Sequence, residues 1–270
     1  MRWRSPRGGR VLIGALALVA LTATGCGGSS DRAGAADGSD ALDRLEGRYA
    51  HYDVVAYEGD MKTMIISYGF TDYDRVGGRL RSHDTFCFSE ARTDQPIQIS
   101  FSDAATQAIK PVPVDVVVGG TARRATLTRP ETPTGIGVRL EHPARDPLPT
   151  SPDDPRIADD DHDGKPGVTA KIVVGPSLQG EIYIARREIF AYDVDEQTDG
   201  SLTGVVRDRS EQLVVGASDP IFQQSSGQWK QHPDLTKSPI ILKPVGRSWD
   251  CERLKAERAR LFPPTPSVDY

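Results

Sequence analysis

An acidic loop in the middle of the chain contains the side chains best suited to bind a metal ion. Asp159, Asp161 and Asp163 have the spacing of the first, third and fifth ligands of a calcium loop. Gly164 follows where such a loop turns sharply, because glycine adopts positive φ without strain. Calcium takes roughly six to eight oxygen ligands, so the carbonyl oxygen of Lys165 and water molecules would add to the carboxylates. The loop therefore predicts a structural calcium ion.

The same loop departs from an EF-hand in two ways. Ala170 occupies the position of the bidentate glutamate, and the flanking sequences favour loop and strand where an EF-hand has helices. Asp153, Asp154 or Asp160 would have to complete the ligand shell. The alternative is a solvated acidic turn that needs no metal.

Cys26 stands at the end of an export signal. Residues 1–10 contain four arginines and no acid, residues 11–21 are apolar, and small residues then lead to Cys26. This order is typical of a signal peptide, and its apolar part is shorter than the ~20 residues of a membrane-spanning helix. The residues before Cys26 resemble a bacterial lipobox, although Ala23 stands where leucine is usual. We expect residues 1–25 to be removed and Cys26 to be lipidated.

The predicted location follows from this anchor. Lipid on Cys26 would hold the protein on a membrane surface. Gly27 is not an inner-membrane retention signal of the kind known for lipoproteins, so the outer membrane is expected if the host has two membranes. An ordinary secretory signal with an incidental cysteine is the alternative.

Cys87 and Cys251 are the other two cysteines of the chain. In an oxidising compartment an even number of thiols tends to pair, which predicts a disulfide between them. Two separately buried thiols are the alternative.

Catalytic signatures are missing from the sequence. It contains no Gly-x-Ser-x-Gly elbow, no His-Glu-x-x-His pair and no glycine-rich phosphate loop. The five histidines are scattered: His51, His83, His142, His162 and His232. His83 beside Asp84, or His232 near Asp234, would contribute to an acid/base site only if the fold assembled one. The sequence therefore favours a protein without catalytic residues.

Two further features would suit a ligand inside a closed sheet. Aromatic residues are frequent from Tyr49 to Tyr73, where they would line the mouth of a barrel or pack in an ordinary core. Arg186 and Arg187 would meet an anionic ligand in the interior or pair with acids on the rim.

Alternating apolar and polar residues predict a mainly antiparallel β fold. Met64, Ile66, Tyr68 and Phe70 would share one strand face, with Ile65, Ser67, Gly69 and Thr71 opposite. Similar alternation occurs in residues 97–102, 112–118, 136–141 and 168–174. Two longer strands, 180–195 and 201–217, would form a hairpin through residues 197–200, and the second would bend near residues 207–211. A curled sheet hides the apolar faces without helices on both sides, so we expect a barrel-like (lipocalin-like) domain or a sandwich.

The composition also predicts the domain boundaries. Residues 26–47 are rich in Gly, Ala, Ser and Asp and indicate a flexible tether after the lipidated cysteine. The β domain would extend over residues 48–262. It would end in a short helix, Trp249 to Phe262, capped by Ser248 and stopped by two prolines, with residues 263–270 as a tail.

Several segments together resemble a group of uncharacterised predicted bacterial lipoproteins. They are the acidic run 152–156, the Asp-x-Asp-x-Asp-Gly-x-Pro-Gly-Val-Thr loop at 159–169, Gly180-Glu181-Ile182-Tyr183, residues 204–218 and the final cysteine helix. The resemblance covers roughly the C-terminal half. It implies a shared fold and export route, and it implies no activity.

The expected function is a lipid-anchored cell-envelope protein with a structural or protein-interaction role. The alternatives are a carrier that holds a lipid or small apolar molecule in a barrel cavity, and a secreted hydrolase. The net charge is −5 without a basic stripe, which excludes a nucleic-acid-binding protein. The expected partners are the membrane, an envelope protein or a small apolar ligand.

Overall fold

The computed structural model describes residues 40–121, 123–223 and 229–270. The strands are β1 (Gly47–Glu58), β2 (Thr63–Val76), β3 (Arg79–Thr93), β4 (Ile97–Phe101), β5 (Val114–Thr121), β6 (Arg124–Ile136), β7 (Val168–Val174), β8 (Leu178–Glu196), β9 (Leu202–Asp208), β10 (Glu211–Ala217), β11 (Lys230–Gln231) and β12 (Pro239–Val245). The helices are α1 (40–45), α2 (Asp103–Gln107) and α3 (Cys251–Leu261). The mainly antiparallel β fold with a short C-terminal helix is confirmed. None of the helices in these ranges has the length and apolar character needed to span a membrane.

Hydrogen bonding closes eight strands into a ring. Its order is β8, β6, β5, β3, β2, β1, β12 and β9, and β9 pairs with β8 again. The N-terminal half of β8 continues beyond the ring, where it pairs with β7 on one side and β10 on the other. Strand β8 thus belongs both to the ring and to an extension of the same sheet that ends in β4.

Strand β1 is buried on both faces. Its odd-numbered residues point into the ring, because the His51 ring lies 6.2 Å from Phe190 on β8, a strand that does not pair with β1. Its even-numbered residues pack in a cluster with Trp249, Leu254 and Phe262 of the C-terminal segment. Helix α3 therefore covers the outside of the ring at β1.

The apolar row of β2 faces α3 and not the ring interior. Met64, Ile66, Tyr68 and Phe70 share one face, as predicted, and all belong to the cluster under α3. The opposite row contains Thr71, which bonds to His51 inside the ring. The expectation that the curled sheet encloses its apolar faces is wrong here. Because α3 covers the apolar face of β2, polar groups can occupy the ring interior.

A β-bulge at Cys87 places the disulfide. Tyr68 faces Phe88 and Gly69 faces Phe86, so Cys87 is the extra residue of β3. Cys87 joins Cys251 at the start of α3 with a Cα–Cα distance of 5.3 Å. The predicted disulfide is confirmed, and it fixes α3 to the sheet.

The ends of α3 and of the domain differ in detail from the prediction. Helix α3 begins at Cys251, and the side chain of Asp250, not Ser248, caps it by accepting the Arg253 N–H at 2.8 Å. Beyond the helix, in the predicted tail, the Tyr270 hydroxyl donates to the carbonyl oxygen of Tyr57 at 3.1 Å.

Residues 40–45, which the sequence analysis placed in the tether, form α1. Ala41 and Leu45 are buried in the same cluster as Tyr49 and Tyr73. Their spacing of four residues places them on one face of the helix, which explains why this short segment packs on the ring. The signal peptide, Cys26 and residues 27–39 of the predicted tether lie outside the described residues.

The long hairpin follows the predicted pattern. Strands β8 and β9 pair around a turn at residues 197–201, and the second predicted strand breaks into β9 and β10 at Arg209 and Ser210. The bend expected near residues 207–211 is thus a strand boundary.

Candidate functional site

The inward face of strand β8 carries an unusual row of side chains. From residue 182 to residue 194 the even-numbered residues of this row are Ile182, Ile184, Arg186, Glu188, Phe190, Tyr192 and Val194. The isoleucines pack in one apolar cluster and the last three residues in another. Arg186 and Glu188 therefore lie between two apolar regions, on the inward face of the strand.

A chain of hydrogen bonds crosses the ring beside this row. His51 contacts Asp53 Oδ1 through Nε2 and Thr71 Oγ1 through Nδ1, both at 2.8 Å. The Thr71 hydroxyl donates to Asp84 Oδ1 at 2.7 Å, and Arg129 Nε donates to Asp84 Oδ2 at 2.8 Å. All five side chains are buried. Burial raises the pKa of Asp53 above its ordinary value, although the contact with His51 opposes the increase.

A second polar group surrounds Arg186. The guanidinium lies 3.8 Å from Asp208 Oδ1 and donates to the Tyr57 hydroxyl at 3.3 Å. That hydroxyl donates in turn to Asp208 Oδ2 at 2.9 Å. Arg187, the adjacent residue, points to the other side of β8 and pairs with Glu211. The two arginines thus divide between the two predicted environments, the interior and an acid on the surface.

Glu188 differs from the other interior acids. Within the described part of the chain its carboxylate has no hydrogen-bond or ion-pair partner. Burial raises its pKa from 4.5 to about 7, and the charges of Asp208 and Asp53 add to the increase while Arg186 opposes it. A carboxylate with this pKa exchanges its proton near neutral pH.

Three hollows meet at Arg186. Two of them, the inner cavities, measure about 80 Å³ and about 30 Å³, and Glu188 lines both. The third, the outer cleft, measures about 460 Å³. Arg186 lines all three, and Gln212 and Trp229 line both the cleft and the larger cavity. The cleft therefore adjoins the cavities that Glu188 lines.

The acidic loop brings its three predicted ligands together. Each of Asp159, Asp161 and Asp163 has one carboxylate oxygen within 4.8 Å of an oxygen of the other two. At these distances a single cation could contact all three. Asp159 accepts the N–H groups of Asp163 at 3.1 Å and Gly164 at 2.9 Å. Gly164 has a φ of +82°, as expected at a sharp turn. Lys165 donates its N–H to Asp163 Oδ1 at 2.9 Å.

Asp161 supplies a specific indication that the loop fits a cation. It is 8% exposed, and its Oδ2 accepts the Thr169 N–H at 3.0 Å. Its Oδ1 is buried without a hydrogen-bond partner among the described residues. Burial raises the pKa of Asp161. An unpaired buried oxygen is costly, and a bound cation would satisfy it.

Two acids suggested for the same shell are engaged elsewhere. Asp154 pairs with Arg156 at 2.8 Å, and Asp160 pairs with Arg139. The structure thus brings together the three alternating aspartates and directs these two neighbours to arginines.

Among the described residues, the histidines named as acid/base candidates do not form a catalytic group with a nucleophile. His83 is exposed while Asp84 is buried, because adjacent residues of a strand point to opposite faces. His232 Nδ1 accepts the Asp234 N–H at 3.1 Å, and its Nε2 lies 3.6 Å from Glu58. The buried histidine is His51.

The aromatic residues from Tyr49 to Tyr73 also divide between the two faces. Tyr57 and Tyr73 lie in the interior cluster, whereas Tyr52 and Tyr68 pack under α3. They do not form a single ligand-binding mouth.

The interior position of Glu188 and the partners of Arg186 were not predicted from the sequence. The available signal was an inward-facing period-two row on 180–195 that is interrupted by two charges. Comparison with known proteins gives no assignment, because no family model, curated protein sequence or solved structure matches this chain.

Proposed function

We propose that this chain is an exported protein, anchored to a membrane by lipid on Cys26, whose β domain binds a small molecule at the cell envelope. The signal-like sequence before Cys26 supports export. The disulfide between Cys87 and Cys251 also supports it, because disulfides persist in oxidising compartments outside the cytosol.

Small-molecule binding rests on one observation, the three hollows that meet at Arg186. Pockets for small ligands are typically about 300–1,000 Å³, and the outer cleft of about 460 Å³ falls in this range. The inner cavities, about 80 and 30 Å³, are too small for a lipid chain but admit one end of a ligand. The proposed cargo is therefore small and partly polar.

Native mass spectrometry of the full chain, extracted from the membranes of an expressing bacterium, tests both parts of the proposal. We expect a polypeptide that begins at a lipid-modified Cys26 and retains a small molecule, or that binds one in a thermal-shift screen. Cys26→Ala should lose the lipid. Gln212→Trp, which fills the cleft, should lower ligand occupancy at least tenfold.

Two results would contradict the proposal. An unmodified N-terminus would reject anchoring by lipid on Cys26. A wild-type protein that neither retains nor binds any small molecule would reject the binding function and favour the structural or protein-interaction role.

We also propose that the acidic loop binds a structural calcium ion through Asp159, Asp161 and Asp163, with the Lys165 carbonyl oxygen and water as further ligands. The support is the convergence of the three carboxylates and the unpaired Oδ1 of Asp161. Such loops hold geometry, so the ion would stabilise the fold and take no part in chemistry.

Calcium binding predicts a concentration-dependent rise in Tm. At calcium one hundred times above its Kd the stabilisation is about 2.7 kcal/mol, which corresponds to several degrees. Asp161→Asn should abolish the rise, whereas Asp60→Asn, at an exposed acid between β1 and β2, should preserve it. A wild-type melting curve that calcium leaves unchanged would reject the site.

A further inference from the structure

The interior charges include one carboxylate that no positive group contacts, although the charge of Arg186 acts on it. Asp84 has Arg129 at 2.8 Å, and Asp208 has Arg186 at 3.8 Å. Glu188 on β8 has no such partner among the residues described. The remaining interior acid, Asp53, contacts His51.

His51 and Asp53 form a pair that is neutral overall. The Thr71 hydroxyl has one hydrogen, which it donates to Asp84, so it accepts the hydrogen bond from His51 Nδ1. The 2.8 Å contact between His51 Nε2 and Asp53 Oδ1 then requires one more proton, either on the ring or on the carboxyl group. In either case the net charge of the pair is zero, and Glu188 remains the unmatched acid.

The walls around Glu188 contain more apolar than polar side chains. Ile65, Phe101, Ile136 and Ile184 are among the apolar ones, and Ser67, Ser89, Thr106 and Gln212 are polar. Among the described residues none of these polar groups donates a hydrogen bond to the Glu188 carboxylate, so a cation that enters the cavity would stabilise its ionised form.

The charge around the cavities favours a cation over an anion. Asp53, Glu188 and Asp208 line the smaller cavity, and because His51 neutralises Asp53, two acids face one guanidinium, that of Arg186. Because Arg186 already contacts Asp208 and Tyr57, it offers an incoming anion little free charge. A metal ion is also disfavoured, since Glu188 alone is free to ligate one and hard cations need several oxygens.

The cleft gives an organic cation a route and a place for its body. Arg186, Gln212 and Trp229 line both the cleft and the larger cavity, so a ligand can extend through both. The Trp229 ring at this junction can pack against an alkyl chain or the face of a cation.

We propose that Glu188 binds the ammonium group of a small organic amine, whose cationic head occupies the inner cavity and whose body lies in the cleft against Trp229. This inference rests on the proposed small-molecule-binding function and specifies its ligand class. The ammonium group supplies the missing positive charge and three N–H donors.

Binding should depend on pH in a defined direction. Glu188 ionises near pH 7, in a field set by Asp53 of β1, Arg129 of β6, Arg186 of β8 and Asp208 of β9. The amine needs the ionised carboxylate and stays protonated itself to about pH 10. Affinity should therefore rise from pH 5.5 to pH 8.

Calorimetry or NMR with n-butylammonium chloride as the probe tests the proposal on the full chain. We expect wild-type protein to bind n-butylammonium at pH 8 at least tenfold more tightly than n-butanol or butyrate. Glu188→Gln keeps the shape of the side chain and should lose this preference. Glu181→Gln, on the opposite face of the same strand, should keep it.

Several results would overturn the amine assignment. Wild-type protein that does not bind n-butylammonium, or that binds it no more tightly than n-butanol, would contradict the assignment. So would a Glu188→Gln variant that binds n-butylammonium as wild type does. A wild-type affinity that does not rise from pH 5.5 to pH 8 would also contradict it. The last test needs no variant, so it applies even if Glu188→Gln folds poorly. Binding of butyrate or another non-amine would leave the general binding function standing, whereas failure of every small molecule would reject both.

Discussion

At the scale of single residues, the interior is arranged so that most buried charges are matched. Asp84 and Arg129 are each about 1% exposed at their side chains and contact each other at 2.8 Å. Arg129 also donates to the carbonyl oxygen of Phe190 at 2.8 Å. A buried pair of this kind adds little net stability compared with apolar residues, but removing one partner leaves the other charge uncompensated.

Arg129→Met should therefore destabilise the fold by roughly 3–5 kcal/mol, measured by chemical denaturation at pH 7. The matched control is Arg209→Met, which breaks the exposed pair of Arg209 with Glu131 and should cost at most about 1 kcal/mol. Similar losses in the two variants would show that the interior pair is not buried as described.

At the scale of elements, β8 and α3 determine where the site lies. The 19 residues of β8 belong both to the ring and to the extension of the sheet, and Arg186 and Glu188 lie between two apolar parts of its inward row. Helix α3 covers the outer face of β1 and β2, with the disulfide from Cys87 to Cys251 at its first residue. The ring can therefore keep polar groups inside while its apolar rows remain buried outside.

Removal of this disulfide should cost about 5 kcal/mol, because the bridge closes a loop of 164 residues in the unfolded chain. The double variant Cys87→Ala, Cys251→Ala should show this loss in the free energy of unfolding. Reducing agent should destabilise the wild-type protein by a similar amount and leave the double variant unaffected. Equal stability of the oxidised and reduced wild-type protein would contradict a cross-link that holds α3.

At the scale of the whole molecule, the sequence predicted the strands better than it predicted their orientation. The alternation in β2 and β7 identifies strands directly, and the break near Arg209 is visible as a charge cluster. Alternation gives two faces, but it does not say which one points into a closed ring. That choice depends on α3, which is far away in the sequence.

The candidate site was only partly predictable for the same reason. The cluster of aspartates in the acidic loop and the disulfide depend on local spacing or on cysteine number, so the sequence indicates them. The role of Glu188 depends on charged residues of β1, β6 and β9, and a charge within an apolar row could equally lie at a surface. The ring closure decides that it is interior.

The most direct test of the central claim, that Glu188 faces the interior without an ion-pair partner, is the free energy of unfolding as a function of pH for wild type and Glu188→Gln. In the unfolded chain Glu188 ionises near pH 4.5, and in the folded protein near pH 7. Below pH 4.5 it is neutral in both states. As the pH rises to 7, ionisation increasingly favours the unfolded chain, by about 3 kcal/mol in total.

We therefore predict that the stability of Glu188→Gln relative to wild type increases by about 3 kcal/mol between pH 4 and pH 8. Glu181→Gln, on the opposite face of β8, should show no comparable change. A stability difference between Glu188→Gln and wild type that is the same at both pH values would contradict the account.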